Sequence, residues 1–132
     1  MVAIKLFCAF LIIASVTLVT VVDAFNPQLI LQLVNDEPAQ TQTNYMVMTQ
    51  TLTHDNPAGG VGRRVLNTGY IYSFVAENVA VGYSTNQEVG VMNLWMNSPR
   101  HRENILNPVF TNLGVAFCGG TYWTQVFASP RE

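Results

Sequence analysis

The amino-acid sequence predicts an α+β layered domain, and three observations carry that reading. Segments with helical spacing or helix start signals occupy the chain as far as Asn97. Two β-rich runs follow near the C-terminus, separated by Gly119-Gly120-Thr121. Nowhere do strands and helices alternate in the repeating βαβ pattern that builds a parallel sheet.

The first element is a leader. After Lys5 an apolar stretch runs from Leu6 to Val22 and ends at Val22-Asp23-Ala24, where small residues stand at the positions a signal peptidase reads. A membrane anchor needs roughly 20 apolar residues, and Thr17, Thr20 and Asp23 weaken a run already short of that. The expectation is a signal peptide over residues 1–24, cleaved after Ala24, and a secreted, extracellular product with no membrane span. The remainder, Phe25 to Glu132, is 108 residues, enough for a single domain with one core. Its five arginines stand against seven acidic residues, so no basic stripe exists to follow a phosphate backbone and nucleic acid is excluded as a partner. Cys8 would leave with the leader. Cys118 would then be the sole cysteine, read as a buried, inert thiol, and stability would rest on packing.

Along the mature chain, Leu29, Ile30, Leu33 and Val34 give an amphipathic helix after Asn26-Pro27. Pro38, in a polar stretch, is expected to break or kink it. A second helix is expected from Thr41 to Leu52, with Tyr45, Met48 and Leu52 on one side. His54 to Gly62, rich in Asn-Pro and Gly-Gly signals, reads as a loop, and a short helix from Arg63 should end at Gly69. Thr85 to Asn97 is the best helix, opened by a Thr85/Glu88 capping box, carrying Val91, Met92, Trp95 and Met96 on one face, and ended by Pro99. Asn112 to Cys118 and Tyr122 to Phe127 then form an antiparallel hairpin.

Three segments in order carry a family likeness. Leu52-Thr53-His54-Asp55 is followed by the glycine-rich loop, Arg64 and Gly69-Tyr70. Ala76-Glu77-Asn78-Val79-Ala80 comes next. The longest match runs from Trp95-Met96-Asn97-Ser98-Pro99-Arg100-His101-Arg102-Glu103-Asn104-Ile105-Leu106 to Gly114-Val115 and Tyr122-Trp123-Thr124-Gln125-Val126-Phe127. On these motifs the chain resembles the CAP superfamily of cysteine-rich secretory, antigen 5 and pathogenesis-related proteins, in its short, disulfide-poor form. The resemblance implies a three-layer α-β-α sandwich with an antiparallel sheet, and a shallow cleft holding His54, Glu77 and His101. It also implies extracellular interaction, with sterol or lipid binding as the recurrent small-molecule theme and defence or host association as the context.

The sequence departs from the family pattern in three places. Ser98 stands where longer members have a second acid, and Arg100 stands where they have glycine. Between the first helix and Ala39-Gln40, about twenty residues of the usual pattern are missing, an alignment made by eye. The N-terminal part of the domain is therefore shortened, which is expected to expose apolar surface of the hairpin or of the Trp95 helix and to leave a marginally stable or self-associating product.

Two imidazoles and a carboxylate converging in a cleft can bind zinc or another divalent transition metal, with no cofactor required. The spacing alone argues weakly for this, because His54 and His101 lie 47 positions apart with no short ligand motif. Hydrogen-bonded structural histidines are the competing reading. Glu77 can equally anchor a loop, Glu88 is best explained as a helix cap, and Arg100 and Arg102 as a solvated face flanking the cleft. No Gly-x-Ser-x-Gly elbow exists, so a serine hydrolase is not supported. The sequence thus favours a non-catalytic extracellular binding module; the alternative is a metal-dependent hydrolase in which His54 and His101 activate water and Glu77 is the general base.

Overall fold

The structure is a computed structural model that describes residues 37–82 and 87–132. The leader, the helix expected over residues 25–34 and the Thr85 cap lie outside the described residues. Helix α1 spans Glu37–Thr49 and buries Pro38, Ala39, Gln42, Thr43 and Met46, a stripe at spacings of three to four. Pro38 sits in the first turn, where its missing N–H costs nothing, so it is compatible with the start of this helix. The side expected to be apolar faces outward at Met48, which is 83% exposed. The buried stripe is partly polar instead. Thr43 reaches the Thr124 hydroxyl at 2.7 Å, a bond formed between helix and sheet.

Helix α2, Val61–Asn67, starts two residues before its expected position and stops at Thr68, with Gly69 following at φ +85° as the sequence signal required. Strand β1, Tyr72–Val81, was not apparent as a strand in the sequence. Helix α3, Gln87–Asn97, ends before Pro99 as expected. Pro99 then opens a further helix, α4, Pro99–Leu106, which the sequence reading did not foresee. Strands β2, Asn112–Cys118, and β3, Tyr122–Pro130, make the expected hairpin, with Gly119 and Gly120 both at positive φ, the requirement of a tight primed turn.

The sheet is antiparallel in the order β1-β3-β2. Its central strand is buried from Trp123 to Ser129 because helices cover both faces. On one face Trp123 and Phe127 pack with Ala80, Val91, Trp95, Ile105 and Phe110 beneath α3 and α4. On the other, Val126 and Ala116 pack with Ala39 and Val65 beneath α1 and α2. This is the three-layer α-β-α sandwich. Burying a side chain such as Phe127 contributes about 2–3 kcal/mol. Trp95 is also buried and donates its indole N–H to the Val79 carbonyl, sealing part of the free edge of β1. The apolar side chains that α3 leaves exposed are Val89 and Leu94, not Trp95.

Cys118 is buried at the end of β2; the other cysteine of the sequence, Cys8, lies outside the described residues. Among the described residues no helix is long and apolar enough to cross a membrane.

Candidate binding cleft at the edge of β1

His54 lies in the segment between α1 and α2, and the backbone on either side of it is tied to α1. Gln42, fully buried, donates its amide to the carbonyls of Thr53 at 2.5 Å and Asp55 at 3.4 Å. Asn56 donates to the Gln42 side-chain oxygen at 3.1 Å, which fixes the direction of the Gln42 amide. The His54 ring remains more than half exposed while its Nδ1 lies 2.8 Å from Glu77 Oε1.

Glu77 occupies the middle of β1 and is buried. Its second oxygen accepts a hydrogen bond from Arg64 Nη2 of α2. Arg64 is itself buried, and its other donors go to the Gly59 carbonyl at 2.8 Å and the Pro38 carbonyl at 3.4 Å. A buried ion pair persists only when its remaining donors are also satisfied, and these bonds meet that condition.

The next residue, Asn78, points to the opposite face of the sheet by strand alternation. It is fully buried, donating to the His101 carbonyl at 3.1 Å and the Gln125 side chain at 3.2 Å, and accepting from Asn104 Nδ2 at 2.8 Å. His101, in the first turn of α4, is thus held through its main chain. Its Nδ1 is buried with no hydrogen-bond partner.

The electrostatics follow the contacts. The hydrogen bond to Glu77 raises the pKa of His54 above 6.5, against the opposing effect of burial. Burial lowers that of His101, and the charge of His54 lowers it further. The two rings therefore feel each other across the β1 edge. His54 comes from the α1/α2 layer and His101 from the α3/α4 layer, so the three residues named from the sequence share one region.

As metal ligands the three are not equivalent. Both Glu77 oxygens are committed, to His54 and Arg64, leaving the two imidazoles as donors. Among the described residues no group of three or more His, Cys, Asp or Glu side chains is arranged to hold a metal ion. A metal here would have the two imidazoles as its protein ligands, with Glu77 orienting His54 from behind. Glu88 is half-buried on α3, while Arg100 and Arg102 are exposed on α4, Arg102 reaching the Met96 carbonyl at 3.3 Å.

The sequence reading missed Gln42 and saw Arg64, Asn78 and Gln125 only as parts of motifs. All four are buried and polar. The one available signal was a pair of adjacent polar residues, Glu77-Asn78, inside an otherwise apolar run.

The model of the CAP, or cysteine-rich secretory protein, family matches residues 34–128. The chain belongs to this family. The uncharacterised protein YkwD of Bacillus subtilis is 42% identical to this CAP chain over 76 residues, covering 56% of the chain and 29% of YkwD. An extracellular protein of Bacillus anthracis that contains an SCP domain superposes with a TM-score of 0.64 at 31% identity, over 70% of this chain and 30% of that one. An outer surface protein of Borrelia burgdorferi gives a TM-score of 0.58 at 19% identity, over 71% and 74% of the two chains, and shows the fold alone. The CAP chain thus spans less than a third of the length of both Bacillus relatives.

Proposed function

We propose that this CAP chain is an extracellular binding module whose ligand enters between His54 and His101 at the edge of β1. The observation that supports this most directly is that the His54 ring and the His101 main chain are held from opposite layers by adjacent residues of one strand, Glu77 and Asn78. Zn²⁺ or Cu²⁺ is the simplest occupant. Two protein ligands predict weak binding. The apolar leader supports secretion, with cleavage after Ala24, and so does the extracellular description of the Bacillus anthracis relative.

The hydrolase alternative loses its general base. Glu77 is buried, with one oxygen facing His54 and the other Arg64, so a water would have to reach it past both. A sterol or lipid ligand also has little room in the cavity between α2 and the β2–β3 pair, lined by Val65, Tyr70, Leu113 and Val126, which holds about 20 Å³. Ligand pockets usually run to several hundred Å³. On the surface, Ile71 and Phe74 are about half exposed and offer apolar area to such a ligand.

The test is calorimetric titration of the secreted protein with Zn²⁺ and Cu²⁺ at neutral pH, alongside His54→Ala and His101→Ala, with lipid extraction of the same sample. Uptake lost in both variants supports the imidazole site. Equal uptake by all three proteins, or an intact leader on the isolated product, overturns the corresponding half of the reading.

A further inference from the structure

We propose that the outer edge of β1 binds an extended peptide segment by strand addition, the added strand lying between His54 and His101. This rests on the reading that the β1 edge is the ligand site, and it needs no metal. The ladder fixes which main-chain groups point outward. Gly82 donates to the Thr121 carbonyl at 3.0 Å, one step beyond the pair Val81 and Tyr122. Hydrogen-bonded pairs recur at every second residue of an antiparallel ladder, so Ala76, Asn78 and Ala80 are the residues bonded to β3. Val75, Glu77 and Val79 therefore turn their N–H and C=O groups away from the sheet. Trp95 bears out this direction, since its indole N–H, on α3, reaches the Val79 carbonyl at 3.3 Å.

Among the described residues no hydrogen bond is made by the outward main-chain groups of Val75 or Glu77, although Glu77 is only 8% exposed. Main-chain groups so enclosed are normally paired. A donor and an acceptor on each of two alternate residues are matched by another extended main chain. The open stretch is bounded, by Trp95 at Val79 and by the register irregularity between Tyr72 and Phe74. A folded second copy needs about 1,000 Å² of buried interface to dock stably, far more than two outward residues supply. The occupant that fits is a single segment of roughly three to five residues, at one bonded pair for every two residues. Its residue opposite Glu77 would point to the His54 side. The neighbour opposite Ala76 would point to the α3/α4 side near Phe74, which is 53% exposed and favours an apolar side chain there.

The experiment titrates the metal-free secreted protein with the capped peptide acetyl-Thr-Val-Thr-Val-Thr-amide, and with the same peptide N-methylated at every amide, and follows the backbone amides by ¹⁵N NMR. The first peptide should saturate with a Kd of about 1 mM, because each main-chain bond adds only modest net stability. It should shift the Val75 and Glu77 amides most and slow their solvent exchange, and N-methylation should abolish both effects. Val75→Pro deletes an outward N–H and no ladder bond, so the pairing of β1 with β3 should persist. Its affinity should fall about 10-fold, the equivalent of one lost hydrogen bond. Equal binding of the two peptides, or no saturable shift at Val75 and Glu77, overturns the proposal, and this comparison decides by itself if Val75→Pro does not fold. Shifts of the same amides with protein concentration alone would give the edge to a second copy and also overturn it. Zn²⁺ titration of the same samples keeps the two readings apart. Zn²⁺ uptake without peptide binding sinks strand addition and leaves the imidazole site standing, whereas peptide binding without Zn²⁺ uptake supports strand addition and removes the metal occupant.

Discussion

Glu77 and Asn78 are consecutive on β1 and hold the two histidines from opposite sides of the sheet. Glu77 pairs across β1–β3 with Val126, which packs under α1 and α2, and meets His54 and Arg64. Asn78 pairs with Gln125 and meets the main chain of His101 and the side chain of Asn104. Two histidines from different layers are thus tied to one dipeptide.

Removing either member of the buried ion pair should be costly. Glu77→Ala leaves the Arg64 charge buried without its partner, and the expected loss is about 3–5 kcal/mol. Urea unfolding checks this through the transition midpoint. A loss below about 1 kcal/mol would place the pair among solvent-screened surface bridges.

Asn78→Ala should destabilise the other half of the site by about 2–4 kcal/mol, since each buried group it leaves unpaired costs roughly 1–3 kcal/mol. It should also loosen α4 against the sheet. Hydrogen exchange of the α4 amides, faster in the variant than in wild type by more than global stability explains, is the expected signature.

Stability should peak near pH 6.5, because the two histidines shift in opposite directions. The folded-state pKa of His54 is raised, so its contribution is complete below the unfolded value of 6.5 and is lost as pH rises through the folded value. The folded-state pKa of His101 is lowered, so folding loses stability as pH falls below 6.5 toward that lower value. His101→Gln should flatten the acid limb and His54→Gln the alkaline limb. Thermal melts between pH 5 and 8.5 decide it, and a His101→Gln curve as steep in acid as wild type would count against the assignment.

The β2–β3 turn offers a graded test. Gly119 and Gly120 both have positive φ, but a Cβ on Gly119 would fall 2.8 Å from Val47 Cγ2, whereas one on Gly120 meets nothing within 4 Å. Gly120→Ala should cost about 1 kcal/mol for the left-handed backbone alone. Gly119→Ala should cost more, with α1 shifting at Val47. Equal melting temperatures for the two variants would be inconsistent with this packing.

The hairpin, α3 and the glycine stop after α2 were legible because each has a local chemical signal. Strand β1 was not, since Glu77 and Asn78 interrupt its apolar run for the sake of the site. Helix α4 was hidden behind Pro99, a residue that stops one helix and serves equally well as the first residue of the next. The inner stripe of α1 includes Gln42 and Thr43, so its buried side does not read as apolar. His54, Glu77 and His101 were visible through likeness to a family, and spacing alone would not have joined them. Arg64 and Asn78 matter through burial and bonding direction, which only the packed structure displays.

The placement of the site on β1 makes it sensitive to counting. Side chains alternate faces along a strand, so inserting or deleting one residue before Glu77 would exchange the roles of two neighbours. Asn78 would turn toward Arg64 and His54, and Glu77 would face the His101 carbonyl, an acceptor set against an acceptor. Substitutions elsewhere on the strand can be absorbed one at a time, but a single-residue change in its length would undo the anchoring of both histidines together.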